Sequence, residues 1–561
     1  MELVDAIVLI STLAFIVIYG SYKSRGSKNV SDFIKGGNEA KWWTVGLSVM
    51  ATQASAITFL STPGQAFNDG MGFVQFYFGV PIAMVVICMV FLPIYHKLKV
   101  YTAYEYLESR FDQKTRTLTA LLFLIQRGLA AGITIFAPAI VLSAVVGWDL
   151  FTLNIIIGFL VIIYTVSGGT KAVNVTQKQQ MAVIFAGMFI AFFFILNHLP
   201  DDISFNQALK IAGSSGKLEV LDFSFDFENR YTFWSGILGG TFLALSYFGT
   251  DQSQVQRYLS AKSLRESQMG LLFNGFLKVP MQFFILLVGV MVFVFYQFET
   301  APLNFNPAAQ NAVYESEYKA DYENLEARLH EIQLQKKEIA SQFGSIAAED
   351  EASQQILQTQ VAALNTKEFA IRDEAKLLIK QADSTIETND KDYIFISFIL
   401  DFLPKGLVGL LLAVILSAAM SSTASELNAL ASTTTMDLFK RNVKTKKSDK
   451  YFLNASKLFT LGWGIFAIAF ACIAYLSDNL IQLVNIIGSI FYGNVLGIFL
   501  LAFFIKYVKA KSVFIGALIT QVIVLYVWYI DLMPYLWLNI FGSALVIFIS
   551  ITLEYFFRNN K

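Results

Sequence analysis

Thr52, Gln53, Ser55, Thr58, Ser61 and Thr62 crowd into eleven positions of the uncharged stretch "SVMATQASAITFLSTPGQAF", Ser48 to Phe67. Far along the chain, "SAAMSSTASELNALASTTTMD" (Ser417 to Asp437) has the same character. Ser421 and Ser422 are followed at i+4 by Ser425 and Glu426, which puts two oxygen stripes on one helical face. The first stretch ends in Thr62-Pro63-Gly64, where a helix is expected to break. Freed carbonyls there, with neutral hydroxyls, suit a hard monovalent cation that must be bound loosely enough to leave. Small polar residues also serve as close helix-packing faces. Two distant segments with matching chemistry point instead to one shared ion site.

Covalent chemistry has little to work with. The three histidines, His96, His198 and His330, lie far apart, and Cys88 and Cys472 each sit inside an apolar run. They give neither a zinc spacing nor a disulfide framework. No catalytic motif is present, so the chain is read as a non-enzyme. Lys+Arg and Asp+Glu both number 42, a balance that conceals charges segregated into loops and gives no sign of a nucleic-acid partner.

The elements that must carry these residues are membrane helices. Of the 561 residues 55% are hydrophobic, and the mean hydropathy is +0.55, which marks a polytopic protein in a lipid bilayer. A span needs roughly 20 apolar residues. About thirteen candidates fit, near 4–21, 44–66, 72–95, 117–141, 149–167, 179–197, 233–250, 271–298, 406–430, 452–475, 480–504, 513–530 and 535–556. Loops 21–41, 96–116, 168–178, 251–270, 440–450 and 505–511 hold the Lys and Arg. Short loops near 68–71, 145–148, 476–479 and 531–534 hold none, which places the N-terminus outside and the C-terminus in the cytoplasm. Acidic residues precede the first apolar run and Lys23, Arg25 and Lys28 follow it, the reverse of a signal peptide, so that run is expected to be a retained helix.

Two polar stretches interrupt the pattern on the outer side. The first, 198–232, is read as a loop of unassigned shape. In the second, 301–390, Tyr318, Tyr322, Leu325, Leu329, Ile332, Ile339 and Phe343 recur at three-four spacing. A second run follows at Leu357, Val361, Leu364, Ile371, Ala375 and Leu378, with "GSIAAEDEAS" between them. The expectation is an antiparallel, coiled-coil-like hairpin standing out of the membrane, either a solvated spacer or a dock for an unknown protein partner.

The motifs "ATQASAITFLSTP", "KLKVYTAYEYLESRF", "YTVSGGTKAV", "QVQRYLSAKS" and "SSTASELNA…TTTMD" resemble, in order, those of the sodium:solute symporter family. The resemblance runs from about residue 30 to 510 and leaves out the hairpin. It implies an all-α, LeuT-type transporter of two inverted five-helix repeats crossing at the bilayer midplane. The implied domains are an N-terminal helix and loop (1–43), the first repeat (44–197), an external loop (198–232) and the second repeat (233–300 and 391–504). The hairpin (301–390) and two C-terminal helices (505–561) complete them.

The resemblance also implies roles. Sodium, Na+, would be held by the carbonyls of Ala51, Ala54 and Ala418 and the hydroxyls of Ser421 and Ser422. Some relatives hold a second sodium with an aspartate whose position is Gln177 here. Glu426 beside Ser425 is a candidate replacement, so Gln177, Ser425 and Glu426 form a candidate second ion site, with one sodium per cycle preferred. A salt bridge from Glu426 to Lys178 or another base is the competing use. Substrate contacts would come from Gln53, Ser55, Thr58, Phe73 and Tyr77, from Tyr247 as an inner gate, and from Lys278 and Asn485. Tyr77, Ala244 and Val80 depart from the sugar-transporting pattern. The first stretch looks most like the sialic-acid transporters, whose carboxylate-binding arginine falls at Ala130. Arg127 lies three residues earlier, almost one turn away on the same helix face, and is a candidate to reach the substrate; snorkelling or pairing with an acid is the alternative for Arg127 and Lys278. The implied function is sodium-coupled import of a small polar organic solute by alternating access, with a lean to an acidic sugar or other organic anion. A neutral sugar or polyol symporter, and a sensor signalling through the hairpin, are the alternatives. The implied location is the plasma membrane, a bacterial inner membrane.

Overall fold

The computed structural model describes residues 3–24, 30–345, 350–443, 447–473 and 479–559, which leaves most of the expected loop near 476–479 outside. Among the described residues the secondary structure is helical, apart from one isolated bridge between Ala40 and Ala261. Nine helices there are long and apolar enough to cross a membrane, and two shorter apolar helices, Leu3–Ile16 and Leu150–Ile163, accompany them.

The other expected spans differ in instructive ways. The two expected at 149–167 and 179–197 are one run, Leu150–Asn197, turned at Gly169 in the left-handed region (φ 57°). A Cβ at Gly169 would stand 2.7 Å from the Phe33 ring, so both conformation and space call for glycine. The span expected at 44–66 is two helices, Trp42–Gln53 and Ala56–Asp69. The break falls at Ala54 and Ser55, not at Thr62-Pro63-Gly64, which lies inside the second half. Pro63 is tolerated there because that half packs closely on Leu264–Phe295, where a Cβ on Gly289 would meet the Pro63 carbonyl oxygen at 2.2 Å.

A second break separates Gly240–Thr250 from Gln252–Leu259, which is helical within the expected loop 251–270. Asp251 sits at the junction in an extended conformation and accepts hydrogen bonds from the Ser253 backbone and hydroxyl at 2.8 and 2.7 Å. Three carbonyls ending the upstream half are capped by phenols: Phe248 by Tyr258, Gly249 by Tyr95 and Thr250 by Tyr104, at 2.8 to 3.0 Å.

The oxygen-rich stretch begins in the unbroken helix Leu407–Thr433 and ends in the π-helical turn Thr434–Phe439 that continues it. Several of its hydroxyls are satisfied without water by back-bonding to carbonyls one turn earlier, as Ser425 to Ser421 (3.0 Å) and Thr423 to Ala419 (2.9 Å), whereas those of Ser417, Ser421 and Thr433 have no partner among the described residues.

The hairpin helices Lys319–Ser345 and Glu351–Ala382 pair Arg328 with Glu374 (2.9 Å) and Lys336 with Glu368 (2.8 Å), so they run antiparallel. Tyr322, Leu325, Leu329, Leu364, Ile371 and Ala375 are buried between them. Toward the tip, however, Ala340, Phe343 and Leu357 join the main apolar core. They do so beside Phe205–Ser214, an amphipathic helix with a capping box at Ser204, in the stretch expected to be a loop. The hairpin is therefore folded down onto the bundle rather than free-standing, because that short helix offers it an apolar face.

Candidate functional site

The first break frees a specific oxygen. The Ala54 N–H still bonds the Met50 carbonyl at 2.7 Å, but the Ser55 N–H turns to Gln53 at 3.0 Å instead of reaching Ala51. Thr58 donates across the break to the same Gln53 carbonyl at 3.4 Å. The Ala51 carbonyl thus loses its intrahelical donor inside the apolar core. Facing this break is the unbroken helix Leu407–Thr433, which it touches where Thr52 and Ser425 hydroxyls lie 3.4 Å apart. One turn from Ser425, the hydroxyl of Ser421 is 1% exposed and has no hydrogen-bond partner. Ser422 differs: it donates to Ala418 and Ala419, both at 3.1 Å. Ala51, Ala54 and Ala418 are buried, and their small side chains let the two main chains approach. Only one of the two contributing helices is broken.

The candidate second ion site is divided. Gln177 lies with Ser425, donating to the hydroxyls of Thr52 and Ser425 at 3.0 and 3.1 Å while its carbonyl oxygen accepts from Ser48. A neutral amide therefore fills the space between the hydroxyls. Glu426 points elsewhere: it accepts from Arg127 at 3.0 Å and from Thr134 at 2.8 Å. Its base is Arg127, and Lys178 instead lies over the Trp43 ring at 4.7 Å.

Arg127 is shared. It also pairs with Asp251 at the second break, donates to the Tyr492 hydroxyl at 2.6 Å, and lies 5.3 Å from the Tyr247 ring centre. Tyr492 donates in turn to Asp251 at 3.1 Å. This buried cation is paired with two acids and a phenol, the acid pairing that was the alternative use for it, while it also lines the cavity described next. Asp251, Tyr492 and Thr134 were not among the sequence candidates. An acid at the end of an apolar span was the signal available for Asp251.

Beside this cluster lies an enclosed cavity of about 80 Å³ lined by Gln53, Ser55, Thr58, Tyr77, Arg127, Tyr247 and Asn485, all substrate candidates. Ser422, Glu426 and Phe76 also line it. Phe73 is one layer back, stacked on Phe76 at 5.6 Å. Lys278 is also behind the wall, its amine 5.3 Å from the Tyr77 ring centre, fully buried and without a hydrogen-bond partner. Gln53 Oε1, Gln126 Oε1 and Arg127 Nε on the lining likewise have no partner among the described residues. Such groups cost about 1–3 kcal/mol each when buried, a cost that a polar solute in the cavity would offset.

Polar clusters flank the cavity at both ends. Toward the hairpin, Gln65 donates to Asp69 at 2.6 Å and accepts from Asn479 and Gln482, and Asp69 pairs with Lys391 at 2.9 Å. At the other end Arg116 pairs with Glu108 at 2.7 Å and Asp437 at 2.6 Å, and Thr102 donates to Asp437.

Residues 33–321 and 374–520 match the model of the sodium:solute symporter family, and most of the hairpin lies between the matched segments. The chain is 28% identical over 516 residues to the Xenopus laevis sodium-coupled monocarboxylate transporter 1, covering 92% of this chain and 70% of that protein. It is 36% identical to human sodium-coupled monocarboxylate transporter 1 over 261 residues, 46% of this chain and 42% of that one. It is 25% identical to the Proteus mirabilis sodium/sialic acid symporter over 96% of this chain and 92% of that protein. A solved structure of a substrate-bound, outward-open Na+-coupled sialic acid symporter superposes over 99% of this chain with a TM-score of 0.76 at 24% identity. The fold is the LeuT-type helical architecture expected.

Proposed function

From a chain that belongs to the sodium:solute symporter family, we infer sodium-coupled import of a small organic carboxylate by alternating access. One observation carries the sodium reading: the Ala51 carbonyl, released at the break, lies in the segment that touches the helix bearing the partnerless Ser421 hydroxyl. Ala54, Ala418 and Ser422 complete the proposed ligand set, and one sodium is bound per cycle. Sodium draws the broken helix and Leu407–Thr433 together, and the solute adds to the state that sodium favours.

The carboxylate reading is supported by relatives named for monocarboxylates and sialic acid. It is also supported by Lys278, whose buried amine has no counter-ion among the described residues and lies against Tyr77 on the cavity wall. A cavity of about 80 Å³ suits a short-chain acid better than a sugar acid. The partnerless oxygens of Gln53 and Gln126 favour a second reading, a hydroxyl-bearing neutral solute. We place the N-terminus and hairpin outside and the C-terminus in the cytoplasm of a bacterial inner membrane, with repeats at 44–197 and at 233–300 with 391–504.

Uptake into liposomes under an imposed sodium gradient tests both parts. Pyruvate, N-acetylneuraminate and glucose are compared, with sodium replaced by potassium or choline. Pyruvate uptake that collapses without sodium is expected. Undiminished uptake in choline sinks the coupling, and glucose transport without pyruvate transport sinks the carboxylate.

A further inference from the structure

Between the hairpin and the bundle lies a second, larger cavity of about 690 Å³, a size typical of sites for small organic ligands. Its floor includes Phe67 and Asn68 at the end of Ala56–Asp69, beside the Gln65 and Asp69 cluster on the hairpin side of the central cavity. From Thr58 to Asn68 the helix advances about 15 Å. Phe67 packs edge-on against Phe293, Tyr296 and Phe305 at 5.7 to 6.0 Å, so this floor is aromatic.

The walls are basic. Six cations line the cavity against three carboxylates. Of these acids, Glu368 is already divided between Lys336 at 2.8 Å and Arg372 at 2.9 Å. Although burial opposes its ionisation, those two cations hold its carboxyl down at about 2. Lys391 is tied to Asp69. Lys217 has no carboxylate within ion-pair reach among the described residues; its amine donates to the Asn68 carbonyl and lies 4.8 Å from the Phe293 ring centre. Burial lowers its pKa to about 8. Lys380 on the opposite wall likewise has no ion-pair partner among the described residues.

Asp69 and Glu368 attract the Lys217 amine and Glu387 attracts Lys380, but neither amine is in direct ion-pair contact among the described residues. An aromatic floor beneath such amines fits a molecule with an apolar body and a single anionic end. We propose that the hairpin encloses an external waiting site for organic carboxylates, in which Lys217 and Lys380 hold the anion above the outer gate before it enters. The hairpin thereby raises the local concentration of the transported solute. This inference rests on the reading of the protein as a carboxylate importer with the hairpin outside. Lys217 and Lys380 lie within the family-matched segments, while Lys336, Glu368 and Arg372 of the wall lie in the unmatched stretch between them.

Full-length protein in liposomes decides it. The double variant Lys217→Gln with Lys380→Gln should raise KM for pyruvate about three- to tenfold at unchanged kcat and unchanged sodium dependence. The fall in pyruvate affinity on adding choline chloride should flatten in that variant. Lys217→Arg with Lys380→Arg should keep wild-type KM, which controls for folding. Independently, titration calorimetry with benzoate in sodium-free buffer should show binding that the Gln pair abolishes and the Arg pair retains. Pyruvate uptake with the same KM in the Gln pair, or sodium-free benzoate binding that the Gln pair leaves intact, overturns the waiting site and leaves the importer standing. A wild-type protein that carries glucose but no carboxylate overturns both.

Discussion

Ser421 and Ser422 are neighbours in sequence but not equivalent. Ser422 already donates to two carbonyls of its own helix, so it can offer a cation a lone pair while keeping its own hydrogen bond. Ser421 has no such engagement and is fully buried, so its hydroxyl contributes little to folding and is spare for a ligand. Ser421→Ala is therefore expected to leave the melting temperature within a degree or two of wild type while raising the half-saturating sodium concentration about tenfold, roughly 1.4 kcal/mol. Ser422→Ala should do the same and also lower thermal stability by about 0.5–1.5 kcal/mol. Sodium titration of pyruvate uptake alongside thermal unfolding separates the two. The reverse ordering would mean that Ser421 faces no ion. Arg127 obeys a different logic, since it separates two buried acids. Arg127→Gln leaves Asp251 and Glu426 uncompensated and is expected to cost about 3–5 kcal/mol. Adding Glu426→Gln should return part of that loss in thermal unfolding, because one acid fewer is then left buried.

Chain breaks are where local signals and the observed elements part company. Thr62-Pro63-Gly64 carries the strongest helix-breaking signal in its span, yet the helix passes through it and breaks at Ala54-Ser55, where no proline or glycine stands. Pro63 and Gly64 serve packing: Gly289 approaches the Pro63 carbonyl, and a Cβ on Gly64 would meet the Lys391 carbonyl at 1.8 Å. What sets the break is the surrounding contact, which no short window of sequence reports. The apolar spans and the hairpin's three-four pattern were legible because they depend on composition and period alone. The family itself was legible through motif order. Asp251, Tyr492 and the Arg127 cluster were not, since their meaning comes from residues brought together across more than a hundred positions. The packing argument has a paired test. Gly289→Ala should destabilise the protein by about 1–3 kcal/mol and slow uptake, because the new methyl group pushes against a backbone oxygen. Gly462→Ala, with nothing within 4 Å of its Cβ, should stabilise by about 0.5–1 kcal/mol through helix propensity alone. Thermal unfolding of both variants in one detergent reads the contrast. A stabilised Gly289→Ala would show that the two helices are free to separate there.

At the scale of the whole molecule, transport is governed by how much charge moves with each solute. One sodium with one monocarboxylate moves no net charge, so pyruvate uptake should be electroneutral and indifferent to membrane potential. A neutral sugar carried with one sodium would move one charge, worth about 2.3 kcal/mol per 100 mV. Electrical measurement thus discriminates between the two solute classes as well as counting ions. In the proposed one-sodium cycle the second ion is excluded by Gln177, whose amide donates to the Thr52 and Ser425 hydroxyls, the oxygens a second cation would need. Gln177→Asp removes those donors and supplies a carboxylate between the same hydroxyls and Ser48. A second sodium should then bind, and uptake of pyruvate should become electrogenic, with one net positive charge entering per solute and an accumulation that grows as the interior is made negative. Reversal-potential measurements on liposomes holding wild type or Gln177→Asp provide the check. A wild type that is already electrogenic with pyruvate refutes the single-sodium cycle. A Gln177→Asp protein that transports pyruvate yet stays electroneutral shows that the amide is not what excludes the second ion.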